Sequence, residues 1–193
     1  MARLEPDVIS ALKRQVPKLA RKKLERITKE KFKKIKEEML TEFLNNPITQ
    51  EIMAGPSSSN ISGTLGGISN LFAFIGFDQG DEPINPILTL LEKMTLTYDK
   101  EATHAGIGVD FKINMPLAEE IFAITPLPWA MGRSWAEGIE RGLSGLGHLL
   151  IKNKGRSGAA IQTRVKVRGG GFQNVPYIST LIGKYTKRFK ELK

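Results

Sequence analysis

The residues able to do chemistry in this chain are few, and their spacing argues against most of it. The two histidines, His104 and His148, lie far apart, and neither has a second ligand at the short spacing a metal site needs. Cysteine is absent, which removes thiolate zinc sites, disulfides and a cysteine nucleophile. Ser134 stands in "GRSWAEG", where a nucleophile elbow would need glycine at 136 and finds alanine. The clusters "GLSGLG" (142–147) and "RGGG" (168–171) suggest a phosphate cradle. A P-loop needs Lys-Ser/Thr straight after its second glycine, and neither cluster supplies it; a dinucleotide fingerprint needs a preceding strand and an acidic residue about twenty positions on, and the "WAEGIER" before Gly142 is not a strand. Gly138, Gly142, Gly145 and Gly147 read better as turns and sites of close helix packing. Glu119–Glu120 and Glu137–Glu140 are paired carboxylates, but Glu137 and Arg141 are spaced for an ordinary ion pair one helical turn apart. The expectation is a chain that is not an enzyme and has no catalytic residue, cofactor or metal.

Charge is the stronger signal. The net charge is +9, unevenly spread: 13 Lys/Arg against 7 Asp/Glu over 1–50, 5 against 12 over 51–149, and 11 against 1 over 150–193. Residues 13–38 alone hold 12 Lys/Arg and 4 Glu. Lys22, Lys23 and Arg26 there, and Arg164, Lys166 and Arg168 on one side of a short alternating run, are candidates to face DNA or an acidic partner. No aromatics interleave with these cations, so any nucleic-acid contact would reach phosphates without sequence preference. Segregated charge also lets the basic part of one copy meet the acidic part of another.

The aromatic residues form two groups. "NLFAFIGF" (70–77) carries Phe72, Phe74 and Phe77 and suits either a buried strand or an exposed docking segment. "PLPWAMGRSWAEG" carries Trp129 and Trp135 with Arg133 between them. Tryptophan and arginine anchor interfaces, although tryptophan in a chain of this size can equally be core. Phe72, Phe74, Phe77, Trp129, Arg133 and Trp135 are therefore the candidate subunit interface.

Periodicity supplies the elements that would position these residues. Apolar residues three and four apart predict helix over 6–44, divided by Pro17 into roughly 6–15 and 18–44. Short helices are expected over 47–53, around Pro86 in "DEPINPILTLLEKM", and over 116–124. "TLTYDK" and "GIGVDFKINM" alternate as a hairpin, and 161–168 as a further strand with Ile161, Thr163, Val165 and Val167 on its apolar side. Residues 55–70, rich in Gly, Ser and Pro, read as a flexible loop that orders only on contact. Ile178, Leu181, Ile182, Tyr185 and Phe189 share one side of a closing helix. The fold class is α+β: a long N-terminal helix, a small antiparallel sheet of about three to four strands, short helices and a C-terminal helix. The expected division is a basic helical arm over 1–46 and an α+β assembly domain over 47–193. No apolar run approaches the ~20 residues that span a bilayer, and the first residues lack a signal-peptide core, so a soluble protein away from membranes is expected.

Three phrases carry a family resemblance: "NNPITQEI…GPSSSNISGTLGG…NLFAFIGF", "EEIFAITPLPWAMGRSWAEGIERGLSGLGHLL" and "SGAAIQTRVKVRGGGFQNVPYISTLIGKYTKRF". Over roughly residues 40–190 the chain resembles the neck, tail-completion and minor tail structural proteins of tailed bacteriophages. The resemblance implies a virion protein of the neck or tail, made in the host cytoplasm, that forms a homo-oligomeric ring at the head–tail junction. It implies contact with other phage neck and tail proteins, non-specific contact with packaged DNA, and no enzymatic activity. The alternative is a basic, non-sequence-specific nucleic-acid-binding protein. On the first reading, removing the Trp135 indole would block assembly and leave the monomer folded.

Overall fold

The computed structural model describes residues 6–65, 69–99, 110–142 and 176–192, with backbone alone over 6–20 and at 99 and 110. The architecture is α+β. α1 (Pro6–Leu44) leads into α2 (Pro47–Met53), a 3₁₀ turn (Gly55–Ser57), α3 (Leu71–Ile75) and α4 (Asn85–Glu92). β1 (Thr95–Asp99) and β2 (Asp110–Asn114) follow, then α5 (Ala118–Ala123), β3 (Pro126–Leu127), β4 (Ala130–Ser134), α6 (Trp135–Arg141) and the closing helix α7 (Ile178–Lys190).

α1 is one helix of 39 residues, about 58 Å long at 1.5 Å per residue. Pro17 does not divide it, which corrects the expected break. A proline inside a helix forfeits one backbone hydrogen bond and disfavours the helix by about 3 kcal/mol. The Leu, Ala, Lys, Arg and Glu residues on both sides are strong helix formers and carry the backbone through. Thr28, Phe32, Met39 and Phe43 of α1 are buried and belong to the same core as the rest of the chain. A boundary at 46 therefore falls inside the core rather than between an arm and a domain.

Among the described residues the four strands form two separate two-stranded ribbons rather than a single sheet. β1 and β2 pair antiparallel, with Leu96 opposite Ile113 and Tyr98 opposite Phe111. The Tyr98 and Phe111 rings meet edge-on at 5.7 Å, and the Arg21 guanidinium lies 4.2 Å from the Tyr98 ring centre, joining the ribbon to α1. β2 begins at Asp110, and the expected strand start at Ile107 lies outside the described residues, as does the expected strand over 161–168. β3 and β4 form a hairpin within the second aromatic stretch.

α7 closes the structure as its periodicity predicts: Ile178, Leu181, Ile182, Tyr185 and Phe189 are all buried. They meet Phe32, Met39 and Phe43 of α1 and Trp135 and Ile139 of α6 in one continuous core. Phe32 and Phe189 stack at 5.4 Å and Phe43 and Tyr177 at 6.1 Å. The Tyr177 hydroxyl hydrogen-bonds the Thr49 hydroxyl at 2.8 Å, and its burial raises the phenol pKa well above its ordinary value.

The segment after α2 corrects the expectation of a loop that orders only on contact. Glu51 on α2 is buried completely. Its carboxylate accepts hydrogen bonds from Ser62 N (2.7 Å), Leu71 N (2.7 Å) and Asn60 Nδ2 (2.9 and 3.1 Å). Asn60 Oδ1 in turn accepts from Leu65 N. Asn70 donates from Nδ2 to the carbonyls of Pro56 and Ser58, and its Oδ1 accepts from Ala73 N as the N-cap of α3. The stretch 55–65 is thus tied to α2 and α3 by side chains in place of a repeating backbone ladder. Burying a carboxylate is costly unless each oxygen is hydrogen-bonded, and here both are. Among the described residues no Lys or Arg forms an ion pair with Glu51.

Glu51→Gln leaves one acceptor oxygen and turns an amide N–H₂ toward backbone N–H groups. Hydrogen bonds to a charged group contribute about 1.5–3 kcal/mol each, so the variant should lose about 2–4 kcal/mol in urea-induced unfolding. An unchanged midpoint would show that the carboxylate does not organise this segment.

Candidate functional site

The two aromatic stretches chosen as interface candidates find each other inside the chain. α3 presents Leu71, Phe72 and Ile75 inward, so "NLFAFIGF" forms a short helix, neither a strand nor a free docking segment. Gly76 ends it at φ 91°, a left-handed conformation that glycine adopts without strain. Trp129 reaches across from the β3–β4 hairpin and donates its Nε1–H to the Ile75 carbonyl at 2.7 Å. Trp135, the first residue of α6, is 1% exposed. Its ring meets Phe77 edge-on at 5.9 Å and Tyr177 at 6.5 Å.

Trp135 and Phe72 are therefore core residues of this chain, which corrects their assignment to a subunit interface. Phe74, Phe77 and Trp129 are half-buried against the same core, and Arg133 is exposed. The physical reason is complementarity within the molecule. An indole buries 150 Å² or more, and a second aromatic segment of the same chain is already available to cover it.

What the hairpin leaves outside is its tip. Met131 is exposed in full, beside Gly132 at φ 74° and exposed Arg133. Pro126 and Pro128 are exposed on the same ribbon. The tip is held firmly from behind: Trp129 by its bond to Ile75, and Ser134 by a 2.7 Å hydrogen bond to Thr125. Ser134 also accepts from Glu137 N at 3.1 Å, so its hydroxyl caps α6. Serine three residues before glutamate is a capping signature, legible in "SWAE".

Lys22, Lys23 and Arg26 are exposed on α1. Arg164, Lys166, Arg168, His104 and His148 lie outside the described residues. Among the described residues no group of three or more His, Cys, Asp or Glu could hold a metal ion, and no helix is long and apolar enough to cross a membrane.

An open groove lies between α1 and α7, lined by Glu38, Glu42, Lys184, Tyr185 and Arg188. Glu42 accepts from Lys184 Nζ at 2.6 Å and from the Tyr185 hydroxyl at 2.7 Å, while Arg188 donates to Glu38 at 2.5 Å. The Lys184 hydrogen bond, then that of Tyr185, holds the Glu42 carboxyl below its ordinary pKa. Burial, then the bond to Glu42, pushes the Tyr185 phenol up to about 12. Each group already serves another, and together they clasp α1 to α7. The i,i+4 pair expected of Glu137 and Arg141 is present at 2.7 Å. Glu140 instead reaches α7, accepting from Ser179 N at 2.6 Å and from the Ser179 hydroxyl. Sequence reasoning missed Glu51, Glu140 and Met131, because the partners or exposure that give each its role arise only on folding.

Comparison with protein-family models, with curated proteins and with solved structures gave no match.

Two outcomes follow. Trp135→Ala should destabilise the isolated chain by about 3–5 kcal/mol, the range for truncating a buried tryptophan, read from chemical denaturation. A variant as stable as the parent would return the indole to the surface. Glu42 has a lowered carboxyl pKa, so its contribution is present above the unfolded value of 4.5 and lost as pH falls through the folded one. Glu42→Gln should therefore cost under about 1 kcal/mol at pH 7, because the pair is half-exposed. Its stability should converge with that of the parent below pH 4.5. A constant difference across that range would show that the carboxylate charge plays no part.

Proposed function

We propose that this chain is a non-enzymatic structural protein of a tailed bacteriophage, assembling as a homo-oligomeric ring in the neck or upper tail with other neck and tail proteins. The observation that carries the reading is the rigid, solvent-facing hairpin tip. Met131, with Pro126 and Pro128 beside it, is exposed on a ribbon anchored from behind by Trp129 and Trp135. A backbone held in place before binding has little of its own conformational entropy to lose when another surface covers the apolar side chain it presents. Opposed charges support the same reading. Exposed Asp78, Asp81 and Glu82 lie in the loop before α4, an acidic patch that a basic part of a second copy can meet. The resemblance of its sequence phrases to those of phage neck and tail proteins is the third support.

In this assembly Met131 is an anchor at the subunit contact, with Arg133 at its rim. Trp129 and Trp135 contribute by holding the tip, not by touching the neighbour.

Light scattering and native mass spectrometry of the purified chain should give a discrete closed oligomer. Met131→Asp should return it to monomer with an unchanged circular dichroism spectrum and melting temperature, since the side chain touches nothing in its own chain. A parent protein that is monomeric at every concentration reached would overturn the reading.

A further inference from the structure

The exposed cations of α1 are not spread evenly around it. Lys22, Arg26, Lys29 and Lys33 are spaced by four, three and four residues, which aligns them in a single row along one side of the helix. The row spans about 16 Å at 1.5 Å per residue. All four side chains are exposed. Arg26 and Lys33 stand 3.8 and 3.7 Å from Glu30 and Glu37, longer than hydrogen bonds and in open solvent, so these pairs exchange readily. Among the described residues Lys22 and Lys29 have no ion-pair partner. The row ends at Lys36, whose ammonium turns inward to the carbonyls of Glu92 and Met94 and caps α4.

We infer that this row binds the phosphate backbone of duplex DNA, without regard to base sequence. This deepens the proposed function by naming the partner of its basic face, and it rests on that reading only for where the DNA would come from. Four observations select the occupant. The row lies along one continuous helix that packs into the core at Phe32, Met39 and Phe43, and a regularly spaced row of charges fits a regular polyanion. No aromatic residue stands within it, so the stacking that single strands require is missing. Its apolar neighbour Leu24 lies on the opposite side of the helix, so the face cannot sink into a bilayer surface. It also lacks the aromatic or apolar anchors that centre a protein–protein contact. What remains is charge alone, which is the chemistry of phosphate contact.

The test compares two triple variants of the full chain that carry the same charge change. One removes lysines from the row (Lys22→Gln, Lys29→Gln, Lys33→Gln). The other removes lysines beside it (Lys23→Gln, Lys31→Gln, Lys34→Gln). Binding to a 20-bp duplex of arbitrary sequence is followed by fluorescence anisotropy over a salt series. Four phosphate contacts give a slope of log K against log salt near −3.6, and loss of three row lysines should flatten it by about 2.7 and weaken low-salt binding at least tenfold. The off-row triple should change the slope by less than about 1. Equal losses in both triples would reduce the effect to net charge and overturn the inference. No binding by the parent, or equal binding to polyglutamate, would also overturn it. Light scattering on the same samples keeps the two readings apart. Assembly without DNA binding removes this inference alone, and DNA binding by a strict monomer removes the ring alone.

Discussion

A buried carboxylate, held by hydrogen bonds and with no ion-pair partner among the described residues, organises the part of this structure on which the rest depends. Glu51 gathers Asn60, Ser62 and Leu71 onto α2, so a Gly/Ser-rich segment becomes a framework. Leu71 begins α3, so the same bond places that helix. The far end of α3 offers the Ile75 carbonyl to Trp129, and Phe77 beyond it packs on Trp135. The hairpin tip with Met131 is thereby held through a chain of contacts that starts at one glutamate. The energetic logic is asymmetric. A satisfied buried charge adds a modest net amount, but removing one partner leaves the full desolvation cost.

α1 answers two demands with its two sides. From Thr28 to Phe43 its inner face supplies the floor of the core, where burial of apolar area does most of the stabilising. The clasp of Glu42 with Lys184 and Tyr185, and of Glu38 with Arg188, lies at the edge of that contact and is open to water. It fixes how α7 lies along α1 more than it adds to stability. The outer face carries the cation row, whose Arg26 and Lys33 make only long, exposed pairs with Glu30 and Glu37 and whose Lys22 and Lys29 have no ion-pair partner among the described residues. One straight helix thus connects the core to a surface that only another molecule can use.

Much of the local structure is legible in the residues alone. The five inward residues of α7, the prolines that open α2 and α4, and the alternation of β1 and β2 are written in periods of 3.6 and 2 that survive folding unchanged. The segregation of charge that motivates the assembly reading is likewise a property of the chain. Less of the candidate site could be read. Lys22 and Arg26 belong to the row together with Lys29 and Lys33 of the same expected helix, but Lys23 beside them does not. Pro17 argued for a break because the rule against proline is local, whereas the helix formers on both sides act over many residues.

The sequence by itself determined the elements whose signal is repeated: the amphipathic closing helix, the capped short helices, the first ribbon and the basic character of α1. Tertiary structure alone decided where the tryptophans go, whether "NLFAFIGF" coils or extends, and that Glu51 would sit in the interior. Five apolar residues in a row carry no period, so burial on one side or both is settled by what packs against them. An indole is as suited to a core as to an interface, and the choice fell to the core because Phe77 and Tyr177 arrive from distant parts of the chain. A glutamate reads as a surface residue until three donors from later in the sequence converge on it.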